Sequence, residues 1–398
     1  MPHTKLKKEA RNAILLGGMC TISYFAVYIA RNMLSSTSAE MMETGSFTEA
    51  QLGTLSSVYF ITYAVGQLIN GTIGDKIKAK YMISFGLILA GICNALFSFF
   101  VGSELAMCIT YGMSGFFLSM IYGPMTKVVA ENTELVYATR CSLGYTFASF
   151  LGTPAAGMIA VAVMWKTAFR ITSVSLITMG IVALVGFAFL EKFGIVSDKP
   201  RFSTKETKGS VKVLIQRRII KFTIISIITG VVRTAVVFWL PTYLVQYLGF
   251  HAKTATSIFT VCTFIISLTT FISVFIYERL NRNMDLAILC YFISATLFFA
   301  LTLLIRQPVV NIICLILAIM SSGAAASMLW SRYCPSLHDT GMVSTATGFL
   351  DFISYMAAAA SSSIFANAVS HIGWEGLILV WVGLMVVGVV VALPLKKQ

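Results

Sequence analysis

The chain has 398 residues, 57% of them hydrophobic and 11% charged, with a mean hydropathy of +0.84. Soluble globular domains carry roughly 25% charged residues, so this chain could not cover a water-facing surface with polar groups. A soluble enzyme, a nucleic-acid binder and a disordered scaffold are excluded. The 29 Lys+Arg against 16 Asp+Glu leave +13, a surplus that in a membrane protein reports topology.

Crossing a bilayer takes roughly 20 mainly apolar residues in a helix. Windows of that size predict spans at 13–35, 52–73, 81–101, 105–127, 139–163 and 167–190, then at 219–247, 254–277, 285–305, 309–331, 342–367 and 373–395. The N-terminus is basic and followed by an apolar run, but the run is too long for a signal peptide and no small-residue cleavage site precedes Arg31. It reads as an uncleaved first span. Phe47-Thr48-Glu49 looks like a helix entry. Gly152-Thr-Pro154 in the fifth span reads as a kink.

The expected fold is therefore an all-α membrane protein with twelve transmembrane helices in two pseudo-symmetric six-helix halves. The basic polar stretch 191–218 divides residues 1–190 from 219–398. With the N-terminus placed in the cytoplasm, 23 Lys+Arg fall inside and four outside (Lys166, Arg170, Lys253 and Arg306). That asymmetry puts both termini on the cytoplasmic side of a plasma (inner) membrane. Lys127 and Arg140 read as topological anchors of a cytoplasmic turn.

The halves echo one another. Arg31 and Arg233 are 202 residues apart, Asp75-Lys76 and Glu278-Arg279 are 203 apart, and Trp165 and Trp374 are 209 apart. Three landmarks in one order argue for a duplication, and transporters built of such repeats bind substrate near midplane between them. The segment Gly71-Thr-Ile-Gly-Asp75-Lys76-Ile-Lys78-Ala-Lys80 resembles the GxxxD(R/K)xG(R/K)(R/K) loop of the major facilitator superfamily, with Lys78 where a second glycine is usual. The resemblance implies a gating loop of Gly71, Asp75, Lys76 and Lys80. In it Asp75 pairs with basic neighbours or a helix end.

Three charges stand inside apolar spans: Arg31, Arg233 and Asp351. Each costs about 2.5–3.5 kcal/mol on insertion scales. Arg233 follows Lys221 by 12 residues, roughly 18 Å of helix, which is close to mid-bilayer; Asp351 lies at a similar depth. Counted from Arg11, Arg31 falls near the outer end unless its helix begins in the cytoplasm. Tyr24, Tyr28 and Arg31 share one helical face, as do Asp351 and Tyr355. Two arginines can clamp an anion through forked hydrogen bonds. The competing readings are snorkelling to the interface or a fixed pair with Asp351.

Tyr24-x3-Tyr28-Ile-Ala-Arg31-Asn32 resembles the first helix of the organophosphate:phosphate antiporters, the group of glycerol-3-phosphate and hexose-phosphate exchangers. Arg233 with Trp239-Leu-Pro241-Thr-Tyr243-Leu244 resembles their seventh, Thr347-Gly348-Phe349-x5-Tyr355 their eleventh, and Gly373-Trp374-Glu375-Gly376 the start of their twelfth. The resemblance implies that Arg31 and Arg233 bind the substrate phosphate, with Tyr24, Tyr28 and Tyr355 around it. The chain also departs from that pattern. Gln67 stands where the family has a lysine, about Ala148 replaces a histidine, and Asp351 takes a position expected to be small. These changes lower the positive field and make Asp351 a candidate proton-coupling residue.

No Walker loop, GxSxG or HExxH occurs, and the four histidines lie in tails or connections. No enzyme activity, cofactor, metal or nucleic-acid partner is expected. The sequence reads as a monomeric secondary transporter of a small organic anion. Its partners are the lipid bilayer, the anion and a counter-transported phosphate or proton. Alternatives are a proton-coupled carboxylate (sugar acid) symporter and a transporter-like membrane sensor.

Overall fold

The computed structural model describes residues 2–100, 102–197 and 211–393. The described residues are helical, joined by short turns. The elements are α1 (Pro2–Glu43), α2 (Glu49–Gly74), α3 (Ala79–Phe99), α4 (Glu104–Leu118), α5 (Tyr122–Asn132), α6 (Leu135–Ala162) and α7 (Trp165–Lys192). After the short α8 (Val211–Gln216) come α9 (Ile219–Val231), α10 (Val237–Gln246), α11 (Ala252–Ser267), α12 (Thr269–Arg279), α13 (Met284–Leu304), α14 (Pro308–Met328), α15 (Cys334–Ser336) and α16 (Val343–Ala392). Ten helical stretches among the described residues are long and apolar enough to cross a membrane. The two other expected spans, 52–73 and 342–367, are helical as α2 and the first part of α16.

Local chemistry accounts for several boundaries. Thr48 opens α2 with a reciprocal capping box. Its hydroxyl accepts the Gln51 N–H, and the Gln51 side chain accepts the Thr48 N–H at 3.0 Å. Asn283 accepts the Leu286 N–H at 3.1 Å to open α13. Gln307 and Pro308 start α14 in the same way. Gly373 sits at φ 68 and divides α16 into two helices, a backbone state open to glycine because it has no Cβ.

Some predicted helices are interrupted. The fourth span is broken at residues 119–121 into α4 and α5. Pro124 has no N–H for the Met120 carbonyl, which loosens the ladder there. The seventh span carries a π-helical turn at Val232–Val236, and the tenth carries one at Leu329–Tyr333. Pro154, by contrast, lies inside α6, which is assigned as one helix from Leu135 to Ala162.

The chain forms two compact units. Unit 1 comprises Met1–Leu214 with Cys334–Phe352, and unit 2 comprises Ile215–Tyr333 with Ile353–Gln398. In unit 1, α1 packs along α6, α3 along α7 and α2 along α4. An aromatic cluster fills its middle, with Phe97 against Phe169 at 4.8 Å and Tyr59 against Tyr111 at 4.9 Å between centroids. In unit 2, α13 and α12 pack on α14. Lys221 is buried there and donates to Asp285 at 2.9 Å and to the Ala392 carbonyl at 3.2 Å. The repeated tryptophans hold like places within each unit: Trp165 meets Phe47 edge-on at 5.4 Å, and Trp374 meets Tyr243 edge-on at 5.3 Å.

Candidate functional site

Unit 1 holds Tyr24, Tyr28, Arg31, Gln67, Asp351 and the loop at 71–80. The i, i+4, i+7 spacing on α1 puts Tyr24 and Tyr28 5.0 Å apart. The Arg31 guanidinium carbon lies 5.3 Å from the Tyr28 ring centre, 4.8 Å from Tyr63 and 5.5 Å from Phe60. Each such contact is worth about 0.5–2 kcal/mol, more where water is excluded. Sequence reasoning missed Phe60 and Tyr63. The available signal was their i, i+3 spacing on one face of α2. The helix α1 runs on to Glu43, which leaves 12 residues, about 18 Å, between Arg31 and the end of the helix. Within the apolar stretch Lys8–Thr37, Arg31 lies six residues before the end.

The tyrosine face of α1 is covered by α5 and α6. Tyr122, set at the start of α5 by the break after α4, stacks on Tyr24 at 5.4 Å, and Tyr145 meets Tyr24 edge-on at 6.1 Å. A side chain at Gly152 would run into Tyr28, so α6 closes directly on α1. Asp351 is 6% exposed and interacts electrostatically with Tyr122 and Cys334. Gln67 is 1% exposed, and its amide oxygen and nitrogen find no hydrogen-bond partner in the protein.

Arg233 and Tyr355 belong to unit 2. Arg233 sits on the π-helical turn, and its guanidinium carbon lies 5.6 Å from the Tyr355 ring centre. Single π turns interrupt α-helices frequently at functional positions. Asp351 and Tyr355, one turn apart on α16, fall in different units.

At the end of α2 the Asp75 carboxylate accepts the Ser344 N–H at 2.8 Å and the Thr345 N–H at 2.7 Å. It thereby caps the start of α16, where free N–H groups and the helix dipole favour an anion. Lys127 donates to the carbonyls of Gly74 at 3.0 Å and Asp75 at 2.8 Å, so this presumed anchor is built into the loop. Lys80 pairs with Glu191, and Lys76 is exposed. Burial pushes the Asp75 carboxyl above its ordinary value, against the pull of both N–H donors and Lys127. Just above this cap α2 and α16 nearly touch. A Cβ on Gly348 would meet the Gln67 carbonyl oxygen and stand 2.9 Å from the Gly71 Cα.

A helical membrane chain of this build, with an acidic loop cap and charged residues inside its spans, is the pattern of a solute transporter. The Major Facilitator Superfamily model matches residues 20–362, and the chain belongs to that superfamily. It is a multi-pass membrane protein of a transporter family, not an enzyme. Its relatives are distant. The glycerol-3-phosphate transporter of Bacillus subtilis is 25% identical over 269 residues, covering 62% of this chain and 60% of that protein. The hexose-6-phosphate:phosphate antiporter of Escherichia coli is 32% identical over 102 residues, covering 25% and 22%. The membrane sensor protein UhpC of Salmonella typhimurium is 29% identical over 96 residues, covering 24% and 22%. The matched stretches thus span from about a fifth to three fifths of these relatives. Among solved structures, a bacterial homologue of ferroportin in an outward-facing state superposes with a TM-score of 0.75 at 11% identity, covering 95% of this chain and 98% of that one. The Escherichia coli fucose:proton symporter FucP (N162A) superposes at 0.70 and 15% identity, covering 96% and 98%. These likenesses concern the fold.

Proposed function

We propose that the protein carries a small organic anion, a phosphate ester or an anion of similar size, across the plasma membrane by alternating access. The observation that carries this reading is the pair of arginines, Arg31 and Arg233, each set inside an apolar helix and each against aromatic rings within its own unit. A guanidinium stays charged and offers a rigid fork of donors, so its cost inside a membrane is offset when an anion is bound. Tyr24, Tyr28 and Tyr355 orient the anion. The glycerol-3-phosphate and hexose-6-phosphate relatives support a phosphate ester.

The halves 1–190 and 219–398 are the moving bodies, and 191–218 is the cytoplasmic link between them. Asp75 latches α2 to the start of α16, with both termini in the cytoplasm. Exchange for phosphate, or coupling to protons, spares the roughly 2.3 kcal/mol per 100 mV that one net charge costs.

Proteoliposome counterflow tests the proposal. Phosphate exchange that is abolished in Arg31→Ala and Arg233→Ala supports it. Normal transport in both variants overturns it. A second reading, proton-coupled uptake of a carboxylate such as a sugar acid, is favoured by Gln67 in place of a lysine and by the buried Asp351. Uptake driven by an imposed pH gradient, without phosphate exchange, would select it. Binding without flux would select a sensor, the description borne by UhpC.

A further inference from the structure

Three apolar stretches of unit 2 begin or end at one charged cluster. Lys221, the third residue of Ile219–Val236, donates to Asp285 at 2.9 Å and to the Ala392 carbonyl at 3.2 Å. Asp285 stands at the start of Met284–Leu304, and Ala392 closes His371–Ala392. A cluster that gathers span ends in this way marks the edge of the apolar layer. The end of α8 is tied to it. Arg218 donates to the same Asp285 at 2.9 Å, and Tyr333 donates to the Arg217 carbonyl at 3.0 Å. Arg218 itself sits at φ 61 and turns the chain from α8 into α9.

The six residues of α8 divide by face. Leu214 is buried, whereas Val211 and Ile215, at i and i+4, are 68% and 50% exposed on one side. Lys212 and Gln216, about 100° further round the helix, are exposed as well. The next exposed apolar side chain is Ile220, 60% exposed within a stretch long enough to cross a membrane. Two cations on one carboxylate, Arg218 and Lys221 on Asp285, leave one net positive charge at this edge. A short helix with an apolar side, held at the edge of the apolar layer beside a positive charge, fits the boundary between lipid phosphates and acyl chains. We propose that α8 lies in that boundary, with Val211 and Ile215 among the first acyl carbons and Lys212 and Gln216 toward water. The phospholipid bilayer is then the partner of its exposed side, and the contact is independent of what the protein transports.

The test uses the full-length wild-type protein in phosphatidylcholine:phosphatidylglycerol liposomes. They contain a trace of phosphatidylcholine with a photoactivated diazirine on an acyl chain near the glycerol. Labelled peptides are read by mass spectrometry, beside a parallel sample treated with a water-soluble diazirine. The expected result is lipid label on 211–216 and aqueous label on the exposed turn 281–283. Aqueous label at Val211 and Ile215 without lipid label overturns the proposal. Protection from both reagents also overturns it, because protein rather than lipid would then cover α8. A double variant, Val211→Asp with Ile215→Asp, changes two exposed side chains, so the melting temperature in detergent should hold. Its lipid label on 211–216 should fall about 10-fold or more while that on Ile220 stays. Lipid label on 211–216 that survives the double variant overturns the insertion of these two side chains.

Discussion

Replacing Asp75 by alanine takes both side-chain acceptors from the first turn of α16. The Ser344 and Thr345 N–H groups, now bonded at 2.8 and 2.7 Å, would face a tight crossing with Gly71 and Gly348 beyond it. An unsatisfied donor in such a place costs about 1–3 kcal/mol. Asp75 is half-buried, so water reaches part of the gap, and about 2–4 kcal/mol for the two donors is the working figure. That corresponds to roughly a 100-fold rise in the local opening constant. Hydrogen exchange read by mass spectrometry on a peptide covering 343–350 reports this opening directly. Asp75→Ala should exchange on the order of 100-fold faster there, and Asp75→Asn, which keeps one acceptor, about 10-fold faster. Peptides from α13, in the other unit, should be unchanged. Wild-type exchange rates at 343–350 in Asp75→Ala would refute the capping role.

Further outcomes follow from the same contacts. Gly348→Ala places a methyl group against the Gln67 carbonyl oxygen and should lower stability by about 1–3 kcal/mol, read as a fall in melting temperature in detergent. Asp285→Asn should destabilise unit 2 more than Arg218→Ala. It leaves the buried Lys221 with the Ala392 carbonyl but without its countercharge, at a cost of about 1–3 kcal/mol, whereas losing Arg218 leaves the Lys221–Asp285 pair intact. A larger effect for Arg218→Ala would overturn that ranking. The Asp75 carboxyl is held above its ordinary value. It therefore stabilises the fold fully below its unfolded value near about 3.9 and loses that contribution as pH rises through the folded value. Wild type should thus lose melting temperature relative to Asp75→Asn as pH climbs above about 4. Lys127 and Glu131, the charged neighbours, are common to both proteins. A difference that is flat with pH would show that burial does not govern this carboxyl.

Much of the fold was legible because hydrophobicity over 20 residues is a one-dimensional property. The apolar windows located the ten described stretches that are long and apolar enough to cross a membrane, and the helix entry at Thr48 was visible as a capping signal. The superfamily was legible in the Gly71–Lys80 loop, and the Arg31/Arg233 pair stood out as charges inside apolar windows. The interruptions were harder to see. Pro124 hinted at the break before α5, but nothing local marks the π turn around Arg233, which depends on how that helix packs. The aromatic partners of Arg31 come from α2, and those of Tyr24 come from α5 and α6. No periodicity along α1 can name them.

Composition and hydropathy by themselves determined that the chain is an all-helical membrane protein with charged residues inside apolar windows, since burial in lipid is dictated by each segment's own side chains. The partners of those charges were decided by tertiary structure alone. Asp75 as a cap for α16, Lys127 as a brace for the loop, and Asp351 set with Tyr122 in unit 1 while Tyr355 lies with Arg233 in unit 2 all depend on contacts between segments tens to hundreds of residues apart. Such contacts are set by helix crossings and the small residues that permit them, and spacing along one helix carries no record of which neighbour will arrive.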